Sequence, residues 1–401
     1  MKYVIIIPDG AADDPIPSLG DRTPLQAAHT PNMDRIAREG IVGTARTVPE
    51  GFESGSDVCT MSLLGYDPAV YHTGRAPLEA AAQNIPLAPE DWVFRCNLVT
   101  VIDGIMRDHS AGGISDVDAR SMLRDLSRAV QYPGFTFYPG VSYRNLLVYR
   151  GEEHFDVTTH PPHEILDDPA EPNLPKGVGA DVLKSIMTQS RRMYDVHEIN
   201  QRRTAAGTNP ATQVWLWGQG HPPAMESFAR RFGVESGAMI TGVDLLRGLA
   251  VLLGWENIEV PGMTSFHDTD YAGQGRATCG AMDRYDIVVS HVESPDEASH
   301  QADVKTKVAA IEAIDRHVVG PVLEKVRSLQ KSGMDARILV LPDHPTNIAT
   351  RKHGYAPTPY AMAGSGIAPE NAADYSERSA AGGRTVERGH ELMSLLLARP
   401  V

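Results

Sequence analysis

Two hydrophobic periods alternate along the chain. Three short apolar runs, Val4 to Ile7, Asp286 to Ser290 (carrying Ile287, Val288 and Val289) and Ile338 to Leu341, are rich in β-branched residues and do not alternate with polar ones. Strands buried on both faces of a parallel sheet read this way. Between the last two runs, Val304, Val308, Ile311, Ile314, Asp315, Val318, Val322 and Val326 recur mostly three or four apart. That spacing predicts one long helix with a single stripe covering a sheet. A second helix is predicted to start at Thr30 as N-cap, with Pro31 in its first turn, and to stop at Gly40. Strand–helix alternation at both ends of the sequence argues for one α/β sheet built from N- and C-terminal segments.

The middle of the chain has another texture. Turn signals crowd residues 90 to 210, among them Tyr132-Pro133-Gly134, Tyr138-Pro139-Gly140, Pro161-Pro162 and the stretch from Pro169 to Pro175. Within them Asn145 to Tyr149 reads as a strand and Ala180 to Tyr194 as a helix. The shift predicts a discontinuous core of residues 1–90 and 210–401, with a smaller α+β domain, residues 91–209, inserted between its halves. Residues 368–383 are small and polar and read as a loop.

Each apolar run leads directly into groups able to bind a metal. The first ends at Asp9. The second continues through His291-Val292-Glu293-Ser294-Pro295 to Asp296, with His300 four residues on. The third ends at Asp343-His344, and His353 follows. Residues far apart in sequence meet beyond the carboxyl ends of strands in open α/β sheets. A lone aspartate after a strand is usually a cap or turn residue; three such endings in one chain are harder to explain that way. Mixed carboxylate and imidazole donors suit Mn²⁺, Zn²⁺ or Co²⁺ better than Ca²⁺. In Glu53-Ser54-Gly55-Ser56-Asp57-Val58 the bland reading is a loop capping the helix that follows. The chemical reading puts Ser56 at a helix N-terminus, where backbone N–H groups favour a phosphoryl group and a metal could activate the hydroxyl as a nucleophile.

Composition narrows the class. The 401 residues carry 37 Lys+Arg against 51 Asp+Glu, a formal charge of -14, which disfavours nonspecific binding to nucleic acid or an anionic membrane. Cys59, Cys96 and Cys279 are scattered and form no CxxC, as expected of a reduced cytoplasmic protein without disulfides. The apolar start is too short for a signal peptide, and no stretch reaches transmembrane length.

Motifs in order along the chain carry a family resemblance. Pro8-Asp9-Gly10, Gly55-Ser56-Asp57-Val58, Leu64-Gly65-Tyr66-Asp67-Pro68 and the run from Thr73 to Ala80 (Thr-Gly-Arg-Ala-Pro-Leu-Glu-Ala) are four of them. Trp215-Leu216-Trp217-Gly218-Gln219-Gly220, Pro295-Asp296-Glu297-Ala298-Ser299-His300 and Asp343-His344-Pro345-Thr346 complete the set. Together they resemble cofactor-independent phosphoglycerate mutases of the archaeal type, in the alkaline phosphatase superfamily. The resemblance implies an alkaline-phosphatase-like core sheet flanked by helices. It implies one divalent ion on Asp296, His300 and His353 and a second on Asp9, Asp343 and His344, with Ser56 bridging to the phosphoryl group. The ions would be Mn²⁺, with Zn²⁺, Co²⁺ or Mg²⁺ as alternatives. It further implies transfer between 3- and 2-phosphoglycerate through a phosphoserine under the inserted domain, with no 2,3-bisphosphoglycerate.

Such a substrate calls for cationic donors. Arg75, His109 and Arg144 lie in matching motifs. Two positions depart from the pattern: Gly113 and Gln274 stand where family members carry basic residues, and Arg276 is the nearby substitute for the second. Phe94 to Thr100 and the run Arg107 to Gly112 also resemble a bacterial branch proposed to act as homoserine kinase, so a kinase-like phosphotransferase is the runner-up. The chain has no Walker A or kinase glycine-rich loop. A simple metal-dependent phosphomonoesterase is a third reading. A non-catalytic scaffold is disfavoured because all seven ligand and nucleophile positions are filled. The expected partner is a small phosphorylated metabolite; the sequence leaves the oligomeric state open.

Overall fold

The computed structural model describes residues 1–130 and 132–398. They form two units, one of residues Met1–His72 and Met225–Val401, the other of Thr73–Ala224. The smaller unit therefore begins earlier and ends later than the 91–209 insert read from composition. The later end follows from strand Gln213–Gly220, which pairs antiparallel with Trp92–Ile102, and the earlier start from helix Arg75–Ala82, which packs on the same two strands.

In the first unit an eight-stranded sheet runs in the order Glu256–Asn257, Gly237–Ile240, Ile287–Val292, Lys2–Pro8, Ala336–Val340, Thr358–Gly364, Ile41–Ala45 and Arg384–Val386. The three apolar runs occupy its centre as parallel neighbours, Val4 lying opposite both Val288 and Ile338. Val4, Ile5, Ile6 and Ile7 are fully buried, each burial being worth about 1.5–3 kcal/mol. Strand Thr358–Gly364 runs antiparallel to its two neighbours. The sheet is mixed α/β with flanking helices, the class expected.

Two helix expectations change. The stripe from Val304 is not one helix but Val304–Ile314 and Gly320–Lys331, joined by a π-helical turn at Asp315–Val319. Pro321 lacks the N–H that a continuous helix would use. Asp315, counted in the apolar stripe, instead directs its carboxylate at the N-terminus of helix Pro31–Glu39, accepting from the backbone N–H of Asn32 (3.1 Å) and Met33 (2.7 Å). Thr30 makes no side-chain cap. A residue 285 positions away does the capping, which no local pattern encodes.

The second unit is α+β. Its five-stranded antiparallel sheet is built on Trp92–Ile102 and covered by helices Asp116–Ala129 and Ala180–Asp195. Tyr138-Pro139-Gly140, read as a turn, is an irregularity inside the edge strand Phe135–Val141. An edge is where a sheet tolerates proline. Among the described residues no helix is long and apolar enough to cross a membrane.

Candidate functional site

The three central strands of the first unit are parallel, so their carboxyl ends coincide and deliver Asp9, the segment from His291 to His300, and Asp343–His344 to one place. Gly10 makes the first turn possible. At φ +61°, a Cβ there would lie 2.5 Å from Thr346 Oγ1 and 2.7 Å from Asp296 Oδ1. Its N–H and that of His344 both donate to Asp343 Oδ1, at 3.4 and 3.0 Å.

Ser56 opens helix Ser56–Leu63. Its hydroxyl donates to Asp9 Oδ2 at 3.2 Å and stands 3.3 Å from His344 Nε2. Asp296 meets His300 Nε2 at 3.1 Å and His353 Nε2 at 3.5 Å, and those two nitrogens are 3.1 Å apart. His344 stands between the groups: its Nε2 is 3.5 Å from Asp9 Oδ1 and from Asp343 Oδ2, and its ring centroid is 4.1 Å from that of His353. All seven residues singled out in the sequence are thus gathered in one cluster.

The cluster also includes residues that the sequence reading passed over. His291, treated as a connecting residue, lies within strand Ile287–Val292 and presents Nε2 3.0 Å from Asp9 Oδ2. Two sets of donor atoms each lie within 4.8 Å of one another, Asp296–His344–His353 and Asp9–His291–Asp343. Thr346 donates to Asp296 Oδ1 at 2.6 Å. His291 precedes Asp296 by five residues; its position in a strand leading to ligands was the available signal.

Four imidazoles share one orientation. Nδ1 of His300 faces the carbonyl of Arg351 (2.9 Å), that of His353 the carbonyl of Ser54 (2.9 Å), that of His344 Thr346 Oγ1 (3.1 Å), and that of His291 Thr241 Oγ1 (3.2 Å). Each Nε2 is thereby turned inward, as outer contacts fix metal-binding histidines. Asp9 Oδ1, Asp343 Oδ2 and Glu293 Oε2 are buried without a hydrogen-bond partner. Burial and the neighbouring Asp9 charge push the Asp343 and Glu293 carboxyls well above their ordinary range. The hydrogen bond to Asp296 raises His300 to about 9. Buried carboxylates that repel one another, three of them with one oxygen left without a donor, fit divalent cations, which satisfy the orphaned oxygens and offset the charge.

The candidate substrate contacts lie mostly in the second unit. Arg75 opens helix Arg75–Ala82. Arg144 lies over the ring of Tyr143 at 5.5 Å, and His109 is 5.6 Å from the same ring. Two unpredicted residues join them. Arg95 is clamped by Glu79 (2.7 and 3.1 Å) and stacked 4.1 Å from the Trp217 ring. His163 packs 5.6 Å from Trp217 and 6.1 Å from His109. Burial, then the charges of Arg75, His109 and Arg95, push His163 down to about 4.

Arg276 belongs to the first unit, where it is largely exposed with its guanidinium 3.6 Å from Asp270. Gln274, noted as a departure, is buried, and its amide donates to Ser290 Oγ (3.2 Å) and the His291 carbonyl (2.8 Å). It joins helix Tyr271–Arg284 to the sheet. Gly113 sits at φ +60°, where a basic side chain would be strained.

These features define an α/β protein with a buried carboxylate–imidazole centre around one serine hydroxyl. A model of 2,3-bisphosphoglycerate-independent phosphoglycerate mutases matches residues 37–200. A Methanothrix thermoacetophila protein of that name is 48% identical over 99% of this chain and 100% of its own length. The solved cofactor-independent phosphoglycerate mutase of Thermoplasma acidophilum is 28% identical, with TM-score 0.67 and 99% of both chains covered. A Pyrococcus horikoshii structure superposes with TM-score 0.82 at 25% identity, covering 99% of this chain and 96% of its own. The chain belongs to the 2,3-bisphosphoglycerate-independent phosphoglycerate mutase family.

Proposed function

We propose that this chain interconverts 3-phosphoglycerate and 2-phosphoglycerate through a phosphoserine at Ser56, with two divalent ions and without 2,3-bisphosphoglycerate. The reading is supported above all by Ser56 at a helix N-terminus, its Oγ 3.2 Å from Asp9 Oδ2 and 3.3 Å from His344 Nε2, within a cluster of orphaned carboxylates.

Asp296, His300 and His353 would hold one ion; Asp9, Asp343 and His344, with Ser56, the other. When bound, the ions supply Lewis acidity, lowering the serine pKa and offsetting phosphoryl charge. Mixed oxygen and nitrogen donors favour Mn²⁺, Co²⁺ or Zn²⁺, and Mn²⁺ is the expected native ion. Asp9 Oδ2 orients the Ser56 hydroxyl by accepting its hydrogen bond. Ser56 Oγ gives up its proton and attacks phosphorus, the bond to the glycerate oxygen breaks, and that oxygen takes up a proton in exchange. The other glycerate hydroxyl then gives up its proton and attacks the phosphoserine, the bond from phosphorus to Ser56 Oγ breaks, and Oγ is reprotonated, so no proton is gained or lost over the cycle. First-turn N–H groups of helix Ser56–Leu63 favour the phosphoryl oxygens. Arg75 and Arg144 would supply positive charge for the substrate's anionic groups, with His109 and His163, both held below the usual imidazole range, as neutral hydrogen-bonding groups and Arg95 held by Glu79. A cytoplasmic location follows from this metabolic role.

The test is an enolase-coupled assay on 3-phosphoglycerate with Mn²⁺ and no bisphosphoglycerate, alongside mass spectrometry of the acid-quenched enzyme. Turnover with phosphate on the Ser56 peptide is expected. Turnover that needs bisphosphoglycerate, or release of inorganic phosphate in place of 2-phosphoglycerate, would reject the reading. A parallel reaction with homoserine and ATP is expected to give no product.

A further inference from the structure

Lys307, on helix Val304–Ile314, is a lysine with a fully buried side chain. Lysine is almost never buried unless paired. Its ammonium donates to Asp13 Oδ2 at 3.0 Å, to the Thr346 carbonyl at 2.7 Å and to the Ala12 carbonyl at 3.4 Å, so all three donors are used.

The acceptors come from two segments, and both bear proposed ligands. Ala12 and Asp13 follow Asp9 on the loop leaving strand Lys2–Pro8; Thr346 follows Asp343–His344 on the loop leaving Ala336–Val340. Thr346 N–H donates to the Ala12 carbonyl at 3.1 Å, knitting the two loops together. Asp13 reinforces the join, Oδ2 accepting also from Ile348 N–H (3.1 Å) and Oδ1 from Asn347 Nδ2 (3.2 Å). The Thr346 hydroxyl extends the connection to a third segment, donating to Asp296 Oδ1 at 2.6 Å while lying 3.1 Å from His344 Nδ1. An exposed Lys–Asp pair would mean little, but these two side chains are 0% and 3% exposed.

We propose that Lys307 is a positioning residue for phosphoryl transfer. Its ammonium, anchored by Asp13, sets the spacing of the loops that carry Asp9 and Asp343–His344 and, through Thr346, the placement of Asp296. The proposal rests on the metal-dependent reading for what those carboxylates do.

The test compares wild type, Lys307→Met and the double variant Lys307→Met/Asp13→Asn, which removes both charges of this buried pair. Mn²⁺ binding is measured by calorimetry, metal-free melting by circular dichroism, and turnover on 3-phosphoglycerate. Wild type that binds no Mn²⁺ would defeat the metal-dependent reading and this proposal together; wild-type binding isolates the question of Lys307. The double variant is expected to melt near wild type without metal, yet to bind Mn²⁺ about tenfold more weakly and to lose kcat while KM holds. Unchanged Mn²⁺ affinity and kcat in the double variant would reduce the pair to charge compensation and overturn the proposal. Loss of folding in both variants would overturn it too, by assigning Lys307 to folding.

Discussion

In the first unit, parallel strands stop side by side and push carboxylates together; in the second, an antiparallel sheet lays cations against aromatic rings. Asp9 and Asp343 are wholly buried, and each leaves one oxygen without a donor. Arg95, almost as buried, has its charge answered by Glu79 and its flat face by Trp217. One centre is complete only with something added. The other pays for its buried charge internally, with the guanidinium groups of Arg75 and Arg144 as further charges acting on Arg95. Buried charge is thus handled in two ways in one chain: by a cation the sequence does not contain, and by a counter-ion that it does.

Five experiments probe this contrast. Ser56→Ala should reduce mutase turnover by about a thousandfold or more, in the range seen when a nucleophile is deleted, while metal content stays near wild type. Appreciable turnover by this variant would remove the phosphoserine and with it the distinction between the units. Next in size, Glu79→Gln strands the Arg95 charge and should destabilise the second unit by about 3–5 kcal/mol. Calorimetric unfolding would show that transition falling, and an unchanged trace would mean that Arg95 does not depend on its partner.

Asp343→Asn should lower bound metal, read by elemental analysis, and slow turnover. In wild type the pH dependence has a defined sign. His300, raised to about 9, holds a proton that an ion must displace. Mn²⁺ affinity should therefore fall as pH drops below 9, by about tenfold per unit for one displaced proton. A flat profile would exclude His300 from the ligands.

The smallest effect concerns His163, whose pKa lies near 4 against an ordinary 6.5. The unfolded chain binds that proton more readily, so the second unit should lose stability as pH falls from 6.5 towards 4. His163→Gln should flatten that slope in urea titrations at successive pH values; an unaltered slope would place the titration elsewhere.

Much of the first unit was legible because its signals are local. Val4 to Ile7, Ile287 to Val289 and Ile338 to Leu341 state their burial by composition, and Asp9, Asp296 and Asp343–His344 follow at fixed short distances. Motif order then carried the family. Less was visible in the second unit, where Pro139 reads as a turn whether it sits in one or on a sheet edge, and where Arg95 and Glu79 look like ordinary surface charges until the strand and helix bring them together. His291 escaped for a related reason: nothing local separates a strand histidine that packs from one whose Nε2 faces Asp9.

The sequence by itself determined which segments are buried strands, which residues could bind metal or attack phosphorus, and which family the chain resembles, because these depend on neighbours a few positions apart. Tertiary structure alone decided how those pieces meet. Asp315 caps a helix through a bond to an N–H 283 residues away, Glu79 neutralises Arg95, and Lys307 ties the Asp13 and Thr346 loops. Each is a pairing of charge with polar groups from distant segments, and its energy exists only once folding has removed the water that would otherwise screen it.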